Sequence, residues 1–447
     1  MGLFLMLGSI MTWCLVGFTP LAYGYDPLDP NGNITIKWDI MQIQDSSYNV
    51  KVSLFNYQLF RHMEPPGWRL SWTWIGDEVI WSMVGAEATL QGNCSRFRNN
   101  LPHSCEKQPV IVDLLPGAPY NMQTANCCKG GVLSSMIQDP SKYGASFLMS
   151  VGAASTFNAS NTTSSDTIPA NFTIELPGYT CGPPLIVPPS RFPSDGGRRW
   201  TQAIGTWNVT CIYSQFRASL SPKCCVSLSA FYNSTIVPCP ICSCHCPGSE
   251  GVRCANSSSK MLPVLQLPHD VTKEARPLVS CSRHMCPIKV HWHVKQSYRE
   301  YWRVKVTITN LNFAKNYSQW SLVMQHPNLR SLTQVFSFNY KPLDQHGPIN
   351  DTGIFWGIQY YNDMLLQSGD EGYVQTEILL NKDAEMFTFR EGWAFPRKIS
   401  FNGDECVMPP PEDYPKLPNS ANTTSFFKFT FWIIPCLLFL MFILWQL

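Results

Sequence analysis

A chain of 447 residues that is 45% hydrophobic has material for two or three cores, more than one fold of modest size needs. Only 14% of residues are charged, and 33 Lys and Arg stand against 31 Asp and Glu. No field of either sign is available to hold nucleic acid or a polyanion, so an uncharged partner fits better. The 15 Trp, 17 Tyr and 25 Phe, with 35 Pro and 28 Gly, make an all-β composition of short strands and turns.

Residues 1–24 carry two apolar stretches, Leu3–Leu7 and Ile10–Phe18, then the small-residue site Ala22-Tyr23-Gly24. That is the layout of a secretory signal peptide cleaved before Tyr25. Ile34 to Ile40 alternates strictly and places Ile34, Ile36, Trp38 and Ile40 on one strand face, and Asn49 to Asn56 reads as the next strand. Trp68, Leu70, Trp72 and Trp74 then alternate with Arg69, Ser71 and Thr73. One face there bears three indoles at a step of roughly 7 Å, as core or as a ledge on which sugar rings could stack.

The pattern recurs. Trp38 and Trp292, Lys51 and Lys305, and Asn56 and Asn310 are each separated by 254 positions. Trp68-x-Leu70 is echoed by Trp320-x-Leu322, and Val79–Met83 by Ile354–Ile358. The expected fold is therefore all-β, two related β-sandwich modules at 25–217 and 290–408. Between them a disulfide-rich connector, 218–289, crowds Cys224, Cys225, Cys239, Cys242, Cys244, Cys246 and Cys254 together, with Cys281 and Cys286 after them. A Pro-rich spacer follows at 409–419.

Phe429–Trp445 is apolar and the chain stops at Leu447 with no basic segment after it. Asn419-Ser420-Ala421, a polar spacer and that tail match a GPI-anchor signal, with Asn419 as attachment residue and 420–447 removed. Taking away Cys14 and Cys436 leaves sixteen of the eighteen cysteines, an even number suited to disulfides in an oxidising compartment. Within residues 25–419, ten Asn-x-Ser/Thr sequons, at Asn33, Asn93, Asn158, Asn161, Asn171, Asn208, Asn233, Asn256, Asn316 and Asn350, mark a glycosylated ectodomain.

No Gly-x-Ser-x-Gly elbow, His-Glu-x-x-His helix, Walker loop or dinucleotide fingerprint occurs. The pair Asp404-Glu405 reads as surface charge, and His291 and His293 as residues on the polar face of a strand. In an oxidising compartment the close cysteines around His245 favour disulfides over zinc. Adjacent cysteines such as Cys224 and Cys225 are expected to bond elsewhere rather than to each other. No metal, cofactor or catalytic residue is expected.

The chain resembles the plant COBRA-like proteins from the signal cleavage site to the anchor site. The resemblance rests on Tyr25-Asp26-Pro27-Leu28-Asp29-Pro30, Gly32 to Asp39, Val79 to Ala86, Val112 to Gly117, Ala125-Asn126-Cys127-Cys128-Lys129-Gly130-Gly131, Cys224-Cys225-Val226-Ser227, Arg283 to Pro287, Val290-His291-Trp292-His293-Val294-Lys295 and Gly392 to Arg397. It implies an extracellular, GPI-anchored protein without known catalysis, acting in cellulose deposition and oriented cell growth. It further implies a cellulose-binding N-terminal module whose contacts fall here on Trp38, Tyr48, Trp68, Trp72 and Trp74. The family's usual Trp-Thr-Pro-Asp-Gly-Tyr is Ile43-Gln44-Asp45-Ser46-Ser47-Tyr48 in this chain, which keeps the Tyr and loses the Trp.

The expected function is a non-enzymatic cell-surface protein that binds cellulose or a related neutral β-glucan and influences microfibril deposition. Its other partner is the outer leaflet of the plasma membrane, reached through the lipid anchor. The rival is an adhesion or signalling ectodomain whose aromatic face meets a protein.

Overall fold

The computed structural model describes residues 26, 29–44, 47–98, 100–152, 168–194, 197–218, 222–231, 236–240, 286–312, 315–343, 351–382 and 394–415. The leader, Asn419 and the tail, the cysteines at 242, 244, 246, 254 and 281, and the sequons Asn158, Asn161, Asn233, Asn256 and Asn350 lie outside the described residues. Among the described residues no helix is long and apolar enough to cross a membrane.

The first module is built from β1 (Ile34–Gln44), β2 (Ser47–Asn56), β3 (Arg69–Thr73), β4 (Val79–Val84), β5 (Ala86–Ala88), β6 (Val110–Asp113), β7 (Gly144–Gly152), β8 (Ala170–Ile174), β9 (Tyr179–Cys181), β10 (Leu185–Val187), β11 (Arg191–Ser194), β12 (Arg199–Gln202) and β13 (Gly205–Tyr213). One sheet runs β10-β13-β1-β2-β7-β4, with β9 beside β13, and faces a second, β5-β6-β3-β8. Alternation aims Ile36 and Trp38 of β1 and Val50 and Val52 of β2 at Leu70 and Trp72 of β3, in one apolar core.

The second module has β14 (Cys224–Ala230), β15 (Ile288–Ser297), β16 (Tyr301–Asn310), β17 (Tyr317–Ser318), β18 (Ser321–Gln325), β19 (Leu332–Val335), β20 (Phe338–Leu343), β21 (Thr352–Gly357), β22 (Met364–Leu365), β23 (Tyr373–Asn381), β24 (Lys398–Phe401) and β25 (Asp404–Glu405). Its sheets run β14-β15-β16-β23-β19 and β20-β21-β18-β24-β25.

The internal repeat is present down to single hydrogen bonds. The β1/β2 pairing slips between Ile40 and Gln42, and the β15/β16 pairing slips at the equivalent Val294 and Gln296. Asn56 Nδ2 donates to the carbonyl of Arg61 while its Oδ1 accepts from Gln58 N. Asn310 does the same with Lys315 and Asn312, at the same spacings. One expected echo fails, because β4 pairs with β7 whereas β21 pairs with β18 and β20. By sheet position β21 matches β6, and β4 matches β19. Apolar alternation alone cannot tell which of two facing sheets a short strand joins.

The Cys-Cys-Val-Ser motif is not connector. It forms β14, a parallel neighbour of β15, with Cys224, Val226, Leu228 and Ala230 aimed into the second core. A half-cystine packs there as a small apolar side chain, so cysteine density concealed a strand. Cys224 bonds Cys406 and Cys225 bonds Cys239, each away from its neighbour as expected. Cys94 bonds Cys105 and Cys181 bonds Cys211, whereas Cys127 does bond the adjacent Cys128.

The modules meet around Arg61, in the segment after β2. Its guanidinium pairs with Asp404 at 3.0 Å and Asp26 at 3.2 Å, donates to the carbonyls of Gly403 (2.6 Å) and Asn402 (3.3 Å), and lies 3.4 Å from the centre of the Tyr213 ring. Lys223 adds a second cation, 2.7 Å from Asp404. Asp404, expected at the surface, is thus buried, while Glu405 is only half-buried. Gly403 has φ of +84°, and a Cβ there would lie 2.8 Å from Arg61 Cζ, so backbone shape and close approach both require glycine.

Beside this cluster Phe60 packs with Val323, Leu343 and Ile354, and Ile137 packs against them. Gln138 Nε2 donates to the carbonyls of Gln319 and Trp320, both at 2.9 Å. The first module thereby covers the outer face of the β20-β21-β18-β24 sheet around Val323, Leu343 and Ile354.

Arg61→Ala leaves two buried carboxylates short of a counter-charge and should cost about 3–5 kcal/mol of stability, read by urea unfolding of the ectodomain. Burial opposes the charge on Asp404, but Arg61 and Lys223 outweigh it and hold its carboxyl below the usual range. The stability tied to that ionised form is present above the ordinary carboxylate pKa. It is lost as pH falls through the depressed value, so the wild-type urea midpoint should drop below about pH 4.

Candidate carbohydrate-binding face

All five aromatic residues expected to meet a glucan are in the core. Trp38 is 0% exposed, Trp68 and Trp72 1%, and Tyr48 and Trp74 2%. Trp38, Trp72 and Trp74 pack edge to face, with ring centres 5.3 to 6.2 Å apart, and Phe172 packs edge to face on Trp38. The indole N–H groups of Trp38, Trp68, Trp72 and Trp74 have no hydrogen-bond partner; ring edges turned to ring faces are what Trp38, Trp72 and Trp74 have in place of one, while Trp68 stacks on Phe147.

The reason is the other half of the alternation. Arg69, Ser71 and Thr73 form the solvent face of β3, where Arg69 pairs with Glu175 and Ser71 hydrogen-bonds Thr173, leaving the indoles the inward face. Ile43, in the place of the family's Trp, pairs with Tyr48 across the strand and packs against the same core. Phe55, Tyr57 and Tyr143, which do approach the surface of the first module, lie 5.8 to 5.9 Å apart and cover one another.

The outer face of the first module's larger sheet is partly roofed by the β11–β12 ribbon, whose Phe192 ring lies 4.1 Å from Lys51 Nζ. On the corresponding face of the second module Tyr373 and Gln375 are exposed and His291, His293, Arg303, Lys305 and Glu377 half-buried, while Ser227 and Ser229 on β14 are buried. Sheet register sets its side chains in rows. Ser229, His293, Lys305 and Glu377 form one, and Ser227, His291, Thr307 and Gln375 the next. With strands about 4.8 Å apart, each row spans roughly 14 Å.

At the β16–β23 side a cleft of about 360 Å³ is lined by Arg303, Lys305, Phe336, Ser337, Gln375, Thr376 and Glu377. Phe336 stands at its rim, 51% exposed. It is fixed there because its N–H donates to the Glu377 carbonyl and the next N–H, of Ser337, donates to Thr376 Oγ1. Tyr373, 49% exposed, continues β23 beyond Gln375.

Among the described residues cations outnumber carboxylates on this face, where Lys289, Lys295, Arg303 and Lys305 stand with the single carboxylate Glu377. Glu377 binds Lys295 at 2.5 Å and Arg303 at 2.6 Å. Burial pushes its pKa up, but those two cations prevail and keep it below the ordinary range. The face offers donors and acceptors side by side, as vicinal hydroxyls of a neutral sugar require. Among the described residues no group of His, Cys, Asp and Glu could hold a metal ion. Of the described sequons, Asn93, Asn171 and Asn316 are exposed, Asn33 and Asn208 half-buried, and none lies on this face.

Sequence reasoning found His291 and His293 as polar-face residues but missed Arg303, Lys305, Phe336, Gln375 and Glu377. The alternation of Tyr373, Gln375 and Glu377 with Val374, Thr376 and Ile378 carried a signal for part of the set. Phe336 lies between β19 and β20 and had none.

A two-module, disulfide-braced β protein with a polar, partly exposed sheet face in its second module is the class that fold and face define. A family model for the COBRA N-terminal domain matches residues 48–214, and one for the COBRA family C-terminal domain matches 223–415. COBRA-like protein 1 of Oryza sativa subsp. japonica is 55% identical over 427 residues, 94% of each chain. COBRA-like protein 6 of Arabidopsis thaliana is 57% identical over 411 residues, 90% of this chain and 88% of its own, and Protein COBRA of the same plant 54% over 423 residues, 94% and 92%. The chain belongs to the COBRA family.

Trp72→Ala should remove about 3–5 kcal/mol of folding stability by opening a cavity in the first core. Cellulose affinity per folded molecule should stay at the wild-type level. Isothermal unfolding and a pull-down on crystalline cellulose, made on the same preparation, check both halves.

Proposed function

We propose that this chain is a non-catalytic cell-surface protein that binds neutral β-glucan chains, cellulose among them, on the polar sheet face of its second module. The observation that carries this reading is the cleft beside Phe336, where an exposed ring adjoins Gln375, Glu377, Lys305 and Arg303. An aromatic ring can stack on the C–H face of a sugar, and planar polar groups beside it can take its hydroxyls. Family membership supports a role in the cell wall, and through that role an influence on how glucan chains assemble beside the membrane.

Phe336→Ala should weaken binding of cellohexaose by about 1–3 kcal/mol, on the scale of an aromatic ring stacking on a flat partner. Because the ring is half-exposed, the melting temperature should hardly move. Raising salt from 50 to 500 mM should leave wild-type affinity nearly constant, since no counterions are released. A protein whose affinity for a charged pectin exceeds that for cellohexaose and falls steeply with salt would contradict the reading.

The anchor belongs to the same proposal. Asn419 carries a GPI lipid and the protein works at the outer leaflet. A phosphatidylinositol-specific phospholipase should release it from intact cells, whereas retention on the membrane with the tail peptide detected by mass spectrometry would contradict the anchor.

A further inference from the structure

We infer that His293 is a ligand-contacting acceptor on this face, held in one tautomer by a directed Ser–His chain so that its Nε2 takes a hydrogen bond from a glucan hydroxyl. This rests on the reading of the face as a glucan site. The motif that supplies it, Val290 to Lys295, lies on β15, and Ser227 and Ser229 come from β14 of the Cys-Cys-Val-Ser segment.

The direction of the chain follows from its end. Ser227 Oγ lies 2.8 Å from the carbonyl of Val237, which can only accept, so the Ser227 hydroxyl donates there. Ser227 Oγ is also 2.9 Å from His291 Nδ1. Its single proton is committed, so His291 Nδ1 carries the hydrogen and donates. Burial, then His293, Lys289 and Lys305, push His291 down to about 4, so at neutral pH its Nε2 is a bare acceptor. Ser229 Oγ, 2.9 Å away, must donate to it. Ser229 has then spent its proton and can only accept from His293 Nδ1, at 2.7 Å. The whole run reads His293 to Ser229 to His291 to Ser227 to Val237, and one tautomer of each imidazole satisfies it.

The consequence falls on the last nitrogen. With Nδ1–H turned to Ser229, the Nε2 lone pair of neutral His293 is left for a donor from outside. His293 is half-buried in the row of Lys305 and Glu377. The groups facing it are Ser229 from β14, His291 and Lys295 on its own strand, Lys305 from β16, and across the row Glu377, itself engaged by Lys295 and Arg303. Burial first, then Lys295 and Lys305, lower its pKa from the ordinary value. A glucan that covers the ring takes the lone pair and strips water from a site with two ammonium neighbours. Both effects favour the neutral form. Protonation of His293 must then weaken binding, so affinity is full above its lowered pKa and declines as pH falls through it.

The experiment uses the complete ectodomain and cellohexaose. Calorimetric titration of wild type should give constant affinity from about pH 8 to the ordinary histidine pKa and a decline below it. His293→Ala should bind about five- to tenfold more weakly at pH 7.5, the loss of one hydrogen bond. His293→Gln places a non-titrating acceptor near the Nε2 position and should restore most of the affinity while abolishing the pH dependence. Melting temperatures of both variants identify any loss due to unfolding. Nitrogen-15 shifts of the free protein should show Nδ1 protonated and Nε2 bare in both imidazoles. A protonated Nε2 on His293 at pH 7.5 overturns the inference. So does a His293→Ala variant that binds as wild type while Phe336→Ala does not, and in that case the face survives as the site. No binding of cellohexaose by the wild-type protein removes the face and the inference together.

Discussion

A guanidinium taken out of water is stable only where fixed negative groups replace its hydration, and Arg61 has that replacement from both modules at once. Asp26 comes from the chain's N-terminal side, Asp404 and the carbonyls of Asn402 and Gly403 from the turn that closes the second module, and the Tyr213 ring from the last strand of the first. Burial works against the charged guanidinium, yet Asp404, Tyr213, Tyr179 and Asp26 together raise its pKa. No rotation of one module against the other keeps all of these partners. Charge pairing that is costly to bury and more costly to break acts here as a registration device.

Much of the remaining architecture depends on that registration. The twin sandwiches each have two outer sheet faces, and docking decides which are wetted. Phe60 and Ile137 lie over Val323 and Ile354, so one face of the second module is spent as interface. The β11–β12 ribbon roofs part of the first module's larger sheet. The polar face with Phe336 at its cleft belongs to the other sheet of the second module, which takes no part in that cluster. The modules also differ at the edge beside the repeated hairpin. In the first, β13 arrives from later in the chain and pairs antiparallel with β1, whereas in the second, β14 comes from earlier and pairs parallel with β15. That exchange brings Ser227 and Ser229 beside His291 and His293, an arrangement the first module has no counterpart for.

The two-module fold was legible because it is written in local periodicity, and an offset of 254 residues preserved the bulge and the buried asparagine of each hairpin. Strand membership was less legible. Val79–Val84 and Thr352–Gly357 share a pattern but join different sheets, and partner choice is a tertiary matter. The expected ligand platform failed for a reason visible in the same five residues: an indole row whose alternate positions are Arg69, Ser71 and Thr73 has its wet face already assigned. The face in the second module was hidden because its members come from β14, β15, β16, β23 and the turn at Phe336, and only the sheet register aligns them. Asp404 was misplaced for a similar reason, since its partner Arg61 is 343 residues away.

The central claim is that a neutral glucan contacts the polar sheet face of the second module and not the tryptophans of the first. Hydrogen–deuterium exchange on the intact ectodomain, with and without cellohexaose, tests it most directly. The account predicts added protection in peptides spanning 332–337 and 373–377, with the 68–74 strand unchanged. Protection confined to the first module, with 332–337 and 373–377 exchanging as in the free protein, would contradict it.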